Sequence, residues 1–260
     1  MSGFLVINPR SGRGQDAEEV RTAAEGLGVE THLLKQGEDP TELARTAPDG
    51  PLGVAGGDGS LAQVAAVALE RDLPFVVIPS GTFNHFARDA GLDRDDPVGA
   101  LQSFSGRETR VDVARVNDRL FLNNVSLGLY ARLVHEQEQA ERFPRLRALG
   151  MLLRSPRGLG VTVDGRPAHA RVLVVSNNAY KLDVLELGER DRLDEGHLQL
   201  SIAHGWLPST WEQTSATELT VDSRAGRLEA AVDGEPETLE TPLRFRIEPR
   251  ALRLLLPERG

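Results

Sequence analysis

The sequence predicts an α/β fold whose opening stretch forms a parallel sheet, followed by a mostly antiparallel β half. Two observations carry this. Through about residue 100, short apolar runs alternate with helical patterns, the spacing of strands and helices that cover both faces of a parallel sheet. After about Gly106 the helical patterns nearly vanish, and short strand-like runs follow one another across turn dipeptides.

Taken in order, Phe4 to Ile7 is a continuous apolar run, the mark of a strand buried on both faces. The glycine-rich loop Asn8-Pro9-Arg10-Ser11-Gly12-Arg13-Gly14 follows it. A helix is expected from about Asp16 to Gly26, with Ala17, Val20, Ala23, Ala24 and Leu27 on one face. Val29 to Leu34 reads as a second strand, Thr41 to Thr46 as a short helix and Leu52 to Ala55 as a third strand. Gly56, Gly57 and Gly59 then lead into a helix over Leu61 to Glu70. Phe75 to Ile78 is a fourth strand, ending at Pro79-Ser80-Gly81.

In the second half, strands are expected at Val111–Val116, Leu120–Val125, Gly160–Val163, Arg171–Ser176, Leu198–Ala203, Glu218–Asp222, Leu228–Val232, Leu243–Ile247 and Leu252–Leu256. Asn117-Asp118, Asp164-Gly165 and Asp233-Gly234 carry hairpin-turn chemistry. One helical stretch, about Leu129 to Leu153, interrupts them and is broken at Pro144. There is no internal repeat and no low-complexity linker. The expected domains are residues 1–107 and 108–260, with the last strand returning towards the first domain.

A chain of 260 residues can bury a large core, and 40% hydrophobic with 27% charged residues is ordinary globular composition. The formal net charge of -9 argues against sequence-independent binding of nucleic acid and against a polybasic membrane anchor. There is no cysteine, which excludes disulfides and thiolate metal sites. No apolar run approaches the roughly 18 residues of a membrane-spanning helix. The N-terminus lacks the basic lead and cleavage site of a signal peptide, so a cytoplasmic location is expected. Lys35 and Lys181 are the only lysines, so a phosphate clamp here must use arginine, backbone amides or a metal.

Three loops stand at the C-terminal ends of predicted parallel strands, where open α/β sheets bind ligands. They are Asn8 to Gly14, then Gly56-Gly57-Asp58-Gly59-Ser60, then Pro79-Ser80-Gly81-Thr82-Phe83-Asn84 leading into His85-Phe86-Ala87-Arg88. Glycines expose amides, a helix N-terminus favours anions, and the hydroxyls of Ser60 and Thr82 add donors to phosphate oxygens. Taken singly, each is also an ordinary βα turn. Asp58 would repel an anion unless it holds a metal, directly or through water, or accepts a proton.

Asn8-Pro9-x-Ser11-Gly12, Gly56-Gly57-Asp58-Gly59-Ser60 and Pro79-x-Gly81-Thr82-x-Asn84-x-Phe86-Ala87-Arg88 together resemble the diacylglycerol kinase catalytic domain family, which includes bacterial diacylglycerol kinases, sphingosine kinases and ceramide kinases. The resemblance continues through Val111-Asp112, Phe121-x-Asn123-x-x-Ser126-x-Gly128, Asp194-Glu195-Gly196 and Asp233-Gly234-Glu235, nearly the whole chain. The Gly-Gly-Asp-Gly loop alone is shared with NAD kinases and 6-phosphofructokinases. Paired with Pro-x-Gly-Thr-x-Asn, it points to the lipid-kinase branch.

The resemblance implies an NAD kinase- and phosphofructokinase-like nucleotide domain and a β-sandwich domain, with ATP and the acceptor lipid in the cleft between them. It assigns the ATP phosphates to Asn8, Pro9, Ser11, Gly12, Gly56, Gly57, Asp58, Gly59 and Ser60, with Gly81, Thr82 and Asn84 nearby and Arg13 and Arg88 as basic partners. It places Asp58 and Asp112 in a magnesium-linked network and matches Asp194-Glu195 loosely to a structural Mg2+ loop. Glu235 is the implied general base and Asp233 the alternative. The implied activity is transfer of the γ-phosphate of ATP to a lipid hydroxyl, diacylglycerol or a relative, by a protein in peripheral contact with a membrane.

Bland readings stand beside these: Asp233-Gly234 also fits a hairpin turn, Asp194-Glu195-Gly196 a solvated loop, and Asn123 a backbone cap. The chain also departs from the family pattern, with His85 where bacterial members carry aspartate and Ala62-Gln63 where they carry Asn-Glu. Leu33 stands where a hydroxyl residue often lies near the adenosine. An imidazole in place of a carboxylate weakens hard-cation binding. An NAD kinase-like small-molecule kinase, or a nucleotide- or lipid-binding protein without turnover, are the alternatives. The stretch from Phe143 to Leu153 reads as a docking lip or as a helix packed on its own domain. Trp206 and Trp211 read as a lipid platform or as packing. The acceptor lipid and the oligomeric state, a homodimer among the options, are open.

Overall fold

In the computed structural model, which describes residues 3–11, 16–128, 159–180, 189–203 and 211–258, the chain divides into two compact units. The first comprises Met1–Val113, Arg192–Asp194 and Pro249–Gly260; the second comprises Ala114–Asp191 and Glu195–Glu248. The division falls within a strand a few residues beyond the expected 107/108 boundary, and the C-terminal residues belong to the first unit.

The first unit is built on parallel strands β1 (Phe4–Ile7), β2 (Glu30–Leu33), β3 (Leu52–Gly56) and β4 (Phe75–Pro79), in the order β2-β1-β3-β4. Their apolar runs explain the arrangement: β1, β3 and β4 are buried along their whole length, as strands covered on both faces must be. The register pairs Val6 with His32 on one side and with Val54 on the other. Helices α1 (Asp16–Gly26), α2 (Pro40–Thr46) and α3 (Asp58–Glu70) make the crossovers. Asp39 caps α2 by accepting the Thr41 amide at 2.8 Å, with Pro40 at the first helical position, where its missing donor costs nothing. Short α4 (His85–Asp89) and α5 (Pro97–Ala100) and a 3-10 helix (Leu101–Ser105) follow. The C-terminal part of β16 (Leu243–Leu256) adds a fifth parallel strand beside β4, pairing Leu254 with Phe75.

The second unit is a sandwich. One layer is a six-stranded sheet, β12 (Trp211–Ala216), β11 (Leu198–Ala203), β10 (Val172–Asn177), β7 (Asn124–Gly128), β14 (Arg227–Val232) and β15 (Glu235–Glu240) in that order, antiparallel throughout. The other contains β8 (Leu159–Val163), β9 (Arg166–Ala170), β13 (Glu218–Ser223), the N-terminal part of β16 and the hairpin of β5 (Arg107–Val116) with β6 (Arg119–Phe121). Val125, Leu127, Leu173, Val175 and Val232 of the first layer meet Phe121, Val161, Val221, Leu243 and Phe245 of the second in one core. Phe121 and Phe245 pack edge to face, centroids 6.3 Å apart.

The expected single strand over Leu120–Val125 is two, β6 and β7. The chain changes sheets at Leu122 and Asn123. The two strands expected at the C-terminus are one, β16, carried past Pro249 with Arg250 at φ 50. Strands β9, β12 and β15 had no strand reading. β12 and β15 are sheet edges with polar, half-exposed sequences, so they lack the apolar alternation that betrays a strand. The hairpin dipeptides behave as their chemistry requires: Asp164-Gly165 and Asp233-Gly234 both lie at positive φ, at 47 and 75 and at 49 and 88. The helical stretch expected over Leu129–Leu153, with the docking segment Phe143–Leu153, Trp206 and Lys181, lies outside the described residues.

Candidate functional site

In the first unit the three glycine-rich loops converge. Asn8, directly after β1, donates from Nδ2 to Ser60 Oγ at 3.0 Å, and its Oδ1 accepts the Arg10 amide at 3.1 Å. Ser11 Oγ accepts the Gly57 amide at 3.3 Å. The first loop is thereby tied to the start of α3, where Gly57 is an N-cap without a side chain to occupy the first-turn amides. Pro9 sits in the turn between Asn8 and Ser11. Gly12 and Arg13 lie outside the described residues.

The second and third loops touch through backbone. A Cβ on Gly81 would lie 2.4 Å from Gly57 Cα, closer than real atoms approach, so the two chains pass where only glycine fits. Asn84, buried and at φ 50, folds its side chain back on the turn: Oδ1 accepts the Gly81 amide at 2.8 Å and Nδ2 donates to the Gly81 carbonyl at 2.9 Å. Asp58 then crosses from the second loop to the third. Its carboxylate accepts the His85 and Phe86 amides, each at 3.2 Å, satisfying two donors at the start of α4. Thr82 is exposed.

Two residues of the third loop escaped the sequence reading as a pair. Phe83, 62% exposed, stacks its ring on the His85 imidazole at 5.7 Å and 6°. His85 Nδ1 is buried with no partner, and burial holds the imidazole pKa below its ordinary value, against the pull of the Asp58 charge. Arg88 is not turned out to an anion alone, because its Nε and Nη2 both donate to Asp89 Oδ1, at 3.0 and 2.8 Å.

The remaining acidic candidates take different roles. Asp112 is fully buried in β5, and its Oδ1 accepts the Arg250 amide at 2.7 Å. Asp194 pairs with Arg192 at 2.9 Å and Arg250 at 3.4 Å. Glu195 accepts the Ala179 amide at 2.9 Å and lies 3.6 Å from His197 Nε2. Asp194 and Glu195 are thus engaged by cations and an amide, and among the described residues no three metal-ligating side chains gather. That does not count against a nucleotide-borne Mg2+, which keeps most of its waters and needs one or two carboxylates besides phosphate. Asp58 is the carboxylate of this loop cluster, and it is held there by the His85 and Phe86 amides.

In the second unit, the carboxylate of Asp233 is 2.8 Å from the Leu122 amide, 2.7 Å from that of Asn123 and 3.1 Å from that of Asn124. From the other side, buried Arg190 donates to the Leu122 carbonyl at 2.7 Å, the Asn177 carbonyl at 3.0 Å and Asn123 Oδ1 at 2.8 Å, with its guanidinium 5.0 Å over the Tyr180 ring. Asp233 and Arg190 therefore clamp residues 122–124 between them. Asn123 serves as a structural acceptor here. Nothing in the local pattern Glu189-Arg190-Asp191-Arg192 marks which arginine turns inward. Glu235, two residues past Asp233, is half-exposed and 3.4 Å from Arg119.

The three loops lie within a stretch that is similar to known proteins. Residues 2–116 match the model of the diacylglycerol kinase catalytic domain. A protein of Enterobacter sp. (strain 638) named "Probable lipid kinase YegS-like" is 24% identical over 286 residues, covering 98% of this chain and 95% of its own. One of the same name from Pseudomonas fluorescens is 29% identical, covering 93% and 91%. A diacylglycerol kinase of Staphylococcus saprophyticus is 32% identical over 142 residues, 51% of this chain and 47% of that one. The crystal structure of a diacylglycerol kinase from Bacillus anthracis superposes with a TM-score of 0.70 at 17% identity, covering 99% of this chain and 97% of that one, and shares the fold. The match to the diacylglycerol kinase catalytic domain family spans residues 2–116, and what the chain shares with that family model lies in those residues.

Proposed function

We propose that this protein is a lipid kinase that transfers the γ-phosphoryl group of MgATP to a lipid hydroxyl, with diacylglycerol the first acceptor to test. The carrying observation is the convergence of the Asn8–Ser11, Gly56–Ser60 and Gly81–Asn84 loops around the uncapped N-terminus of α3. A helix N-terminus flanked by side-chain-free backbone is suited to phosphate oxygens. ATP supplies the transferable phosphoryl group, and its Mg2+ offsets the negative charge. The chain's own residues position: Asn8, Ser11 and Ser60 set the first two loops, and Asp58 holds the third loop and would be the residue to hold the nucleotide's Mg2+.

Glu235 is the proposed base, taking the acceptor's proton as its oxygen attacks phosphorus and ADP departs. Asp233 fits that task less well, because its oxygens are committed to three backbone amides. Among the described residues no helix is long and apolar enough to cross a membrane. The proposed contact with lipid is peripheral, from the cytoplasmic side.

The test is incubation of the full chain with labelled ATP, Mg2+ and vesicles containing diacylglycerol or related lipids. Label on lipid supports the reading. Label on added NAD instead would make it a small-molecule kinase. Tight ATP binding with no transfer to any acceptor would make it a binding protein, an outcome that His85 and Ala62 would then explain.

A further inference from the structure

We infer that Arg119 is a positioning residue that orients the carboxylate of Glu235 for proton transfer, with Glu237 as its fixed anchor. This rests on the assignment of Glu235 as base. Arg119 opens β6, and its two terminal nitrogens reach two different carboxylates of β15. Nη1 donates to Glu237 Oε2, and Nη2 lies 3.4 Å from Glu235 Oε2. Residues 235 and 237 are two apart on a strand, so their side chains project to the same side of the sheet. A planar guanidinium can span both, while an ammonium acts as a single point of charge.

The two contacts are unequal, and the inequality matters. Glu237 is the closer partner and fixes the guanidinium in place. Glu235 is the looser one, oriented by a single donor, so its other oxygen is left to meet a hydroxyl. Asp233, two residues before Glu235, has its carboxylate on the amides of Leu122, Asn123 and Asn124. Side chains 34% to 45% exposed, as these three are, contribute little to stability through ion pairing. A requirement for Arg119 should therefore appear in turnover and not in folding.

The experiment compares wild type, Arg119→Met, Arg119→Lys, Glu237→Gln and Glu235→Gln as full chains. Each is assayed for transfer of label from ATP to diacylglycerol vesicles and for thermal unfolding. Arg119→Met is expected to lower kcat by about 10- to 100-fold with the KM for ATP and the melting temperature unchanged, the size of effect a misplaced catalytic group produces. Arg119→Lys should recover part of the loss, and Glu237→Gln should lower kcat less, in the same direction. Full activity in Arg119→Met beside an inactive Glu235→Gln would overturn this inference alone. So would a loss of activity that merely follows a fall in melting temperature. Full activity in Glu235→Gln, or no transfer by wild type, would overturn the base assignment and this inference together.

Discussion

The Asp58 carboxylate accepts the backbone amide of His85 at 3.2 Å, across 27 residues of sequence. With the Phe86 amide on its other oxygen, Asp58 joins the start of α3 to the start of α4. The aspartate of the Gly-Gly-Asp-Gly loop therefore has a structural duty besides any duty towards a metal, and the two separate by substitution. Asp58→Ala leaves two amides without acceptors and should cost about 1–3 kcal/mol of stability. Asp58→Asn keeps one acceptor oxygen and should unfold closer to wild type. Both should lose turnover, by about 100- to 1000-fold if the charge is needed near the phosphates. Denaturant titration beside the label-transfer assay reads the two effects, and wild-type turnover in Asp58→Asn would confine Asp58 to the structural role.

The contact between Gly57 and Gly81 makes an asymmetric prediction. A methyl group on Gly81 would collide with Gly57 Cα at 2.4 Å, while one on Gly57 would meet Gly81 Cα at an ordinary 3.6 Å. Gly81→Ala must push the second and third loops apart, at about 1–3 kcal/mol, and should weaken ATP binding about tenfold or more. Gly57→Ala leaves the loop contact intact, so it should weaken ATP binding less than Gly81→Ala, by the methyl group's own intrusion at the start of α3. Calorimetric titration with ATP checks both, and equal affinities in the two variants would remove loop contact from the binding site.

How much of this was readable beforehand follows the physics of each element. The strands β1, β3 and β4 were legible because a strand buried on both faces must be apolar throughout, and each ends in a turn whose glycines are conspicuous. β15 was not, since Glu-Pro-Glu-Thr-Leu-Glu at a sheet edge carries no apolar period. The site divided the same way. That the loops carrying Ser11, Asp58 and Asn84 gather at one sheet edge could be read from residue types and strand spacing. That Asn84 spends its side chain on Gly81, or that Arg119 reaches Glu237, depends on partners brought together by the fold across gaps the sequence does not encode locally. For Asp233-Gly234 the sequence offers a hairpin turn or a catalytic carboxylate; the backbone makes the hairpin, and the hold of the side chain on residues 122–124 has no local signal.

That double engagement separates Asp233 from Glu235. Asp233→Asn replaces an acceptor oxygen with a donor facing backbone amides in a buried position, which should destabilise by about 1–3 kcal/mol and lower activity only through the folded fraction. Glu235→Gln is half-exposed and should fold normally while kcat falls by about 100- to 10,000-fold at constant ATP affinity. Thermal unfolding and steady-state transfer rates check the pair. A fully stable, inactive Asp233→Asn beside an active Glu235→Gln would exchange the two roles.

His85 gives the last prediction, through pH. Burial lowers its pKa from the ordinary 6.5, so the folded protein resists a proton that the unfolded chain accepts. A depressed folded value means that stability is intact above 6.5 and is lost as pH falls from there towards the folded pKa, the unfolded state binding the extra proton throughout that window. The buried Nδ1, which has no acceptor to reward protonation, agrees with that sign. His85→Gln cannot titrate, so the difference in melting temperature between it and wild type should shift in favour of the variant as pH drops from about 7.5 to about 5. Carboxylates away from His85 that titrate in the same range act equally on both proteins and cancel in the comparison. Parallel melting curves across that interval would show that the imidazole is protonated as readily in the folded state as in the unfolded one.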